Sequence, residues 1–68
     1  MALSDMASTK TAWRKSEIHD LLKGFGRTII KNSINETISN EMNISIDEAK
    51  KMKTIKPSIV IKILKEFE

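Results

Sequence analysis

Between Asn35 and Lys53 the apolar residues are Ile38, Met42, Ile44, Ile46, Ala49 and Met52, and their helical spacing breaks once. Ile38 and Met42 stand four apart, as on adjacent turns of one helix. Ala49 and Met52 stand three apart, as on one face of a second. Asn43-Ile44-Ser45, which separates them, is too polar and too short for anything but a tight connection. Ser45 followed by Glu48 has the spacing of a capping box. The hydroxyl can accept from the Glu48 amide, and the carboxylate can reach back to the Ser45 amide. The stretch predicts a short helix, a tight turn and a second short helix.

The rest of the chain must complete a core around this elbow, and there is little of it. With 68 residues it has room for one small domain. A chain of this size buries only about 60% of the surface that its unfolded form exposes. It has no cysteine, so no disulfide or thiolate metal site supports it. Stability must come from one core, alone or shared with a second copy or a partner. A hydrophobic content of 40% with 31% charged residues suits a folded helical domain better than a disordered tail. Trp13, Phe25 and Phe67 are the only aromatic residues, which leaves isoleucine to fill the interior. No apolar run approaches the roughly twenty residues of a membrane span, and nothing resembles a signal peptide. A cytoplasmic protein with no membrane partner is the expectation.

In chain order, residues 1–11 are small and polar without a period and are expected to form a flexible arm ahead of a single helical domain over 12–68. A helix is predicted from Ala12 or Ser16 to Ile30, with Ser16 as N-cap and Glu17 placed for the helix dipole. Ile18, Leu21, Leu22, Phe25 and Ile29 follow a three-four alternation on one side, and Lys23, Arg27 and Lys31 fall on the other. Gly24 and Gly26 interrupt this helix, either admitting another backbone closely or marking a kink. Ile30 and Ile34 leave the apolar arc, and Ser33 with Glu36 repeats the capping-box spacing, so a new helix is expected near residues 31–33 and on to Met42. Ile34, Ile38 and Met42 should be its buried face. After the turn, Ile46, Ala49 and Met52 should be buried. Lys56, ahead of Pro57, is pushed out of helical geometry and ends that helix. Ser58 to Glu68 reads as a helix with Pro57 near its start, although Ile59-Val60-Ile61 would also suit a strand. Its apolar surface must either close the core or form a dimer seam.

Catalysis finds little support. The single histidine, His19, adjoins Asp20, but neighbouring helical residues do not face each other and cannot pair as base and orienter. There is no cysteine nucleophile, phosphate loop or metal-ligand spacing. Neither an enzyme nor a cofactor is expected. The net charge of +3 is unevenly spread. Residues 1–34 hold six Lys or Arg against three acids, and residues 35–68 hold six of each. The positive excess therefore lies in the first half.

Ser39 after Ile38, Met42 before the turn, Asn43 within it, Ile44 and Ser45 after it, and Ala49 and Met52 beyond make a segment over 37–52 that resembles the helix-turn-helix DNA-binding superfamily. That resemblance implies a second helix in the major groove, with N-terminal side chains near base edges. It carries over to Ser45, Asp47, Glu48, Lys50 and Lys51, with Lys53 and Lys56 available for the backbone. Asp47 and Glu48 depart from the pattern, since they put negative charge where phosphates approach, though a carboxylate can accept from cytosine. The sequence thus points to an all-α protein, a compact bundle of about four short helices with a helix-turn-helix-like hairpin. The function expected is a small DNA-binding transcriptional regulator acting on duplex DNA as a dimer. The rival is a protein-binding helical adaptor or inhibitor that docks on a partner or a second copy through Ile59, Ile63 and Phe67.

Overall fold

Two distant pairs of residues close the chain on itself: Trp13 lies opposite Ile55 and Arg14 opposite Thr54 in an antiparallel ladder. These form β1 (Trp13–Arg14) and β2 (Thr54–Ile55). The computed structural model describes residues 3–68. The helices are α1 (Lys15–Leu21), α2 (Arg27–Met42), α3 (Ile46–Lys51) and α4 (Pro57–Lys65), preceded by a 3₁₀ helix over Leu3–Thr9. The fold is mostly helical, but the small sheet means that it is not purely all-α. Two residues per strand are too few for alternation to register in a sequence, so the sheet had no signal of its own.

The segment expected as a flexible arm is built into the fold from residue 3 onward. Ser8 Oγ donates to the Asp5 carbonyl at 3.0 Å and Thr9 Oγ1 to that of Met6 at 2.8 Å, which tightens the 3₁₀ turns. Ala7 is completely buried, and its carbonyl accepts from the Trp13 indole N–H at 3.0 Å. The 3₁₀ helix packs against α4. The two residues before it lie outside the described residues.

Helix α1 begins two residues earlier than a Ser16 cap would allow. Arg14 is held extended by the ladder (φ −91°, ψ 149°), and its amide N–H donates to Glu17 Oε1 at 3.0 Å. The helix therefore starts where the strand stops. It ends at Leu22, and the expected continuation to Ile30 does not occur. Gly24 to Gly26 break it, and Gly26 caps α2 with extended backbone (φ −63°, ψ 134°). The break expected at residues 31–33 is absent, because α2 runs unbroken through them. The change of apolar phase was genuine, but it belongs to the junction at the glycines. Ile30, Ile34 and Ile38 are one i, i+4 stripe of α2, at most 1% exposed. Phe25 and Ile29, assigned to the first face, are 46% and 62% exposed.

Helix α2 stops at Asn43, which takes the left-handed conformation (φ 56°, ψ 46°), and the Ile44 amide closes on the Ser39 carbonyl at 3.1 Å. Ser45 Oγ then accepts from the Glu48 amide at 3.2 Å and starts α3. The elbow stands where the spacing put it, with Ala49 buried beneath it. Two expected core members are not in the core: Met42 and Ile46 stand at the elbow's outer edge and are more than a third exposed. Met52, expected in the core, packs against it partly buried, and Ile44 joins it there.

Lys56 is extended and Pro57 occupies the first turn of α4, so this segment is helix rather than strand. Ile59, Val60, Ile63 and Leu64 close the core of the chain itself. Ile59 and Ile63, expected as a partner face, are only 5% and 0% exposed and have no surface left to offer. Phe67 is half-buried and meets Phe25 edge to face, with ring centroids 4.9 Å apart.

Candidate functional site

All seven residues expected at a nucleic-acid interface are exposed: Ser45, Asp47, Glu48, Lys50, Lys51, Lys53 and Lys56. They do not form one surface with a single chemistry. Asp47 and Glu48 occupy the first turn of α3, while Lys50 and Lys51 occupy its last, where cations suit the helix dipole. Lys50 and Lys53 line two neighbouring clefts, each beside cations from other parts of the chain.

The first cleft lies between α1, α2 and α3. Helix α1 contributes Lys15 and His19, α2 contributes Arg27, Lys31 and Asn35 over Ile34, and α3 contributes Lys50. A second cleft continues past the β1 end, where Arg14, Ser16, Met52, Lys53 and Thr54 join Lys15 and Lys50. Lys15 and Lys50 belong to both, so the two clefts form one band that holds Arg14, Lys15, Arg27, Lys31, Lys50 and Lys53. No carboxylate lines either cleft.

Lys15 organises the band. Its ammonium donates to Asn35 Oδ1 at 2.8 Å and to the carbonyls of Ala49 at 2.7 Å and Lys50 at 3.4 Å. The Ala49 carbonyl also accepts from the Met52 amide at 3.2 Å, and the Lys15 cation adds a second donor at the negative end of the α3 dipole. Desolvation, and secondarily the charge of Lys31, lowers the Lys15 pKa from its usual value. The His19 pKa is lowered as well, first by desolvation and then by Arg27, with Asp20 pulling the other way. The cations of the cleft thus act on one another across it.

The acids that make identified contacts are engaged elsewhere. Glu17 pairs with Lys10, whose ammonium also lies 4.8 Å from the centre of the Trp13 ring. Glu41 pairs with Lys62 at 2.6 Å, and Glu66 accepts from Ser33 Oγ. Among the described residues no group of three His, Asp or Glu gathers as a metal site, and no helix is long and apolar enough to cross a membrane.

The residue-by-residue expectation missed Arg14, Lys15, His19, Arg27 and Lys31. Two signals pointed toward them: the positive excess in residues 1–34, and the spacing of Arg27 and Lys31 by four on one helix face. What the sequence lacked was the long-range contact, 34 residues apart, that sets α1 beside the end of α3. Compared with known proteins, the chain matches no family model, no curated protein and no solved structure.

Proposed function

We propose that the chain is a small DNA-binding regulator of the cytoplasm that grips the duplex backbone with its basic band. The observation that carries this reading is the band itself, six Lys or Arg, five from β1, α1, α2 and α3 and Lys53 from the α3–β2 connection, around two joined clefts lined by no carboxylate. Such an arrangement attracts a polyanion and releases its condensed counterions. In this reading the α2–α3 elbow serves as a helix-turn-helix-like hairpin. Ser45 and Asp47 face base edges, with Asp47 accepting from a cytosine amino group. Lys50 and Lys53 hold phosphates from the band, with Lys51 and Lys56 as further exposed cations of the same stretch.

Fluorescence anisotropy of labelled duplex DNA across a salt series tests it. Log affinity should fall linearly with log salt, and Lys50→Gln or Lys53→Gln should each reduce the slope by about 0.9. Lys65→Gln, on exposed α4 surface, should leave the slope unchanged. Absence of binding at low salt, or slopes indifferent to Lys50 and Lys53, rejects the reading.

A second reading, a protein-binding adaptor, is favoured by one observation. Phe25, against the half-buried Phe67, and Ile29, four residues on, are large apolar side chains that this chain leaves exposed. Ile29→Lys should then abolish concentration-dependent association or partner capture without lowering the melting temperature. A wild-type chain that sediments as a monomer at every concentration and retains no partner removes it.

A further inference from the structure

The cleft between α1, α2 and α3 is more than a stretch of charged surface. Its floor is the buried Ile34 and Asn35, its cations come from three helices, and its volume is about 420 Å³. Lys15 is already committed, with its ammonium donating to Asn35 and to the end of α3. The side chains of Arg27, Lys31 and Lys50 hold no hydrogen bond or ion pair among the described residues. Three uncommitted cations therefore border the cleft, where Lys15 feels the charge of Lys31 and His19 that of Arg27.

We propose that this cleft is a binding site for a phosphate group, held by Arg27 and Lys31 of α2, Lys50 of α3 and His19 of α1. Arg27 offers a planar fork that can grip two oxygens, and the lysines act as point charges. A phosphate monoester or pyrophosphate carries roughly two or more negative charges, which suits this many cations better than a single carboxylate would. Ile34 in the floor keeps water from part of that side and strengthens the attraction. Bound anion relieves the mutual repulsion of the cations. This site rests in part on the DNA-binding reading, because a duplex backbone is one source of the group. A free phosphorylated small molecule is the other.

The test titrates the full chain with sodium pyrophosphate and, separately, with duplex DNA, following the His19 imidazole resonances by NMR. Pyrophosphate should give a saturable shift and raise the pKa of His19. Arg27→Gln/Lys31→Gln should weaken pyrophosphate binding by about tenfold or more. Arg27→Lys/Lys31→Arg, which preserves charge, should retain most of it, and Lys65→Gln should retain all of it. Equal weakening of DNA and pyrophosphate by the double Gln variant identifies backbone phosphate as the source. Weakening of pyrophosphate alone identifies a free phosphorylated ligand and leaves the DNA reading to its own salt series. No saturable shift, or unchanged pyrophosphate affinity in the double Gln variant, overturns the phosphate site even where DNA still binds through Lys50 and Lys53.

Discussion

The ammonium of Lys15 sits 2.7 Å from the carbonyl oxygen of Ala49 and so ties the first α-helix to the end of the third. The same group holds Asn35 Oδ1, and Asn35 is 4% exposed. Lys15→Met should keep the apolar stem but leave Asn35 Oδ1 without its donor, while the Ala49 carbonyl keeps the Met52 amide. A buried acceptor left unpaired costs about 1–3 kcal/mol. Relief of the repulsion from Lys31 works in the opposite direction but across exposed surface, where charge effects are smaller. The urea midpoint should therefore fall at unchanged m-value. A midpoint equal to that of the wild type would mean that repulsion cancels the hydrogen bonds.

The N-terminal segment offers a sharper contrast. Were residues 1–9 a free arm, deleting them would leave the melting temperature where it was. In the fold, deletion strips Ala7 from the core, removes the acceptor of the Trp13 indole and uncovers part of α4. The lost hydrogen bond and apolar contact together should cost about 1–3 kcal/mol. Thermal melting of the truncated chain, with Trp13 fluorescence shifting to the red, is the measurement.

Ala49 and Lys51 lie two residues apart on α3 and should respond in opposite ways. Ala49 is completely buried, so Ala49→Asp would force a carboxylate into a space that holds only a methyl group. It should unfold the domain under conditions that melt nothing else. Lys51 is exposed, and Lys51→Ala should change stability by less than about 0.5 kcal/mol. Comparable circular dichroism melts for the two variants would contradict this burial.

How much of this was legible in the sequence depended on whether the signal was local. The elbow was, because Asn43 tolerates the left-handed turn and Ser45 caps α3, both within a few residues. The start of α4 was legible for the same reason, through Pro57. The α1–α2 junction was half legible. The jump in apolar phase at Ile30 was visible, but the repeated Ser-x-x-Glu spacing at Ser33 drew the boundary too late, while Gly24 and Gly26 marked its true place. The β1–β2 ladder and the docking of Ala7 were not legible, since each joins short segments far apart. The candidate cleft shared that fate. Its charge was countable in the first half of the chain, but its shape depends on Lys15 reaching α3.

His19 makes that shape sensitive to acid. In the unfolded chain its imidazole titrates near the ordinary 6.5, and in the fold desolvation and then Arg27 lower that value against the pull of Asp20. Lys15, Lys31 and Lys50 share the cleft with it, and Lys23 borders its other side with Arg27. A base whose folded pKa lies below its unfolded one binds more protons when unfolded. Stability should therefore decline as pH falls through 6.5 and level off below the folded value, as far as this group is concerned. His19→Gln should flatten that part of the profile and leave the carboxylate-driven loss at lower pH in place. Bound pyrophosphate should reverse the sign, because an anion beside the imidazole favours its charged form. Urea midpoints measured on either side of pH 6.5, with and without pyrophosphate, separate the two regimes. A wild-type profile that matches His19→Gln throughout would show that this imidazole does not feel the cleft.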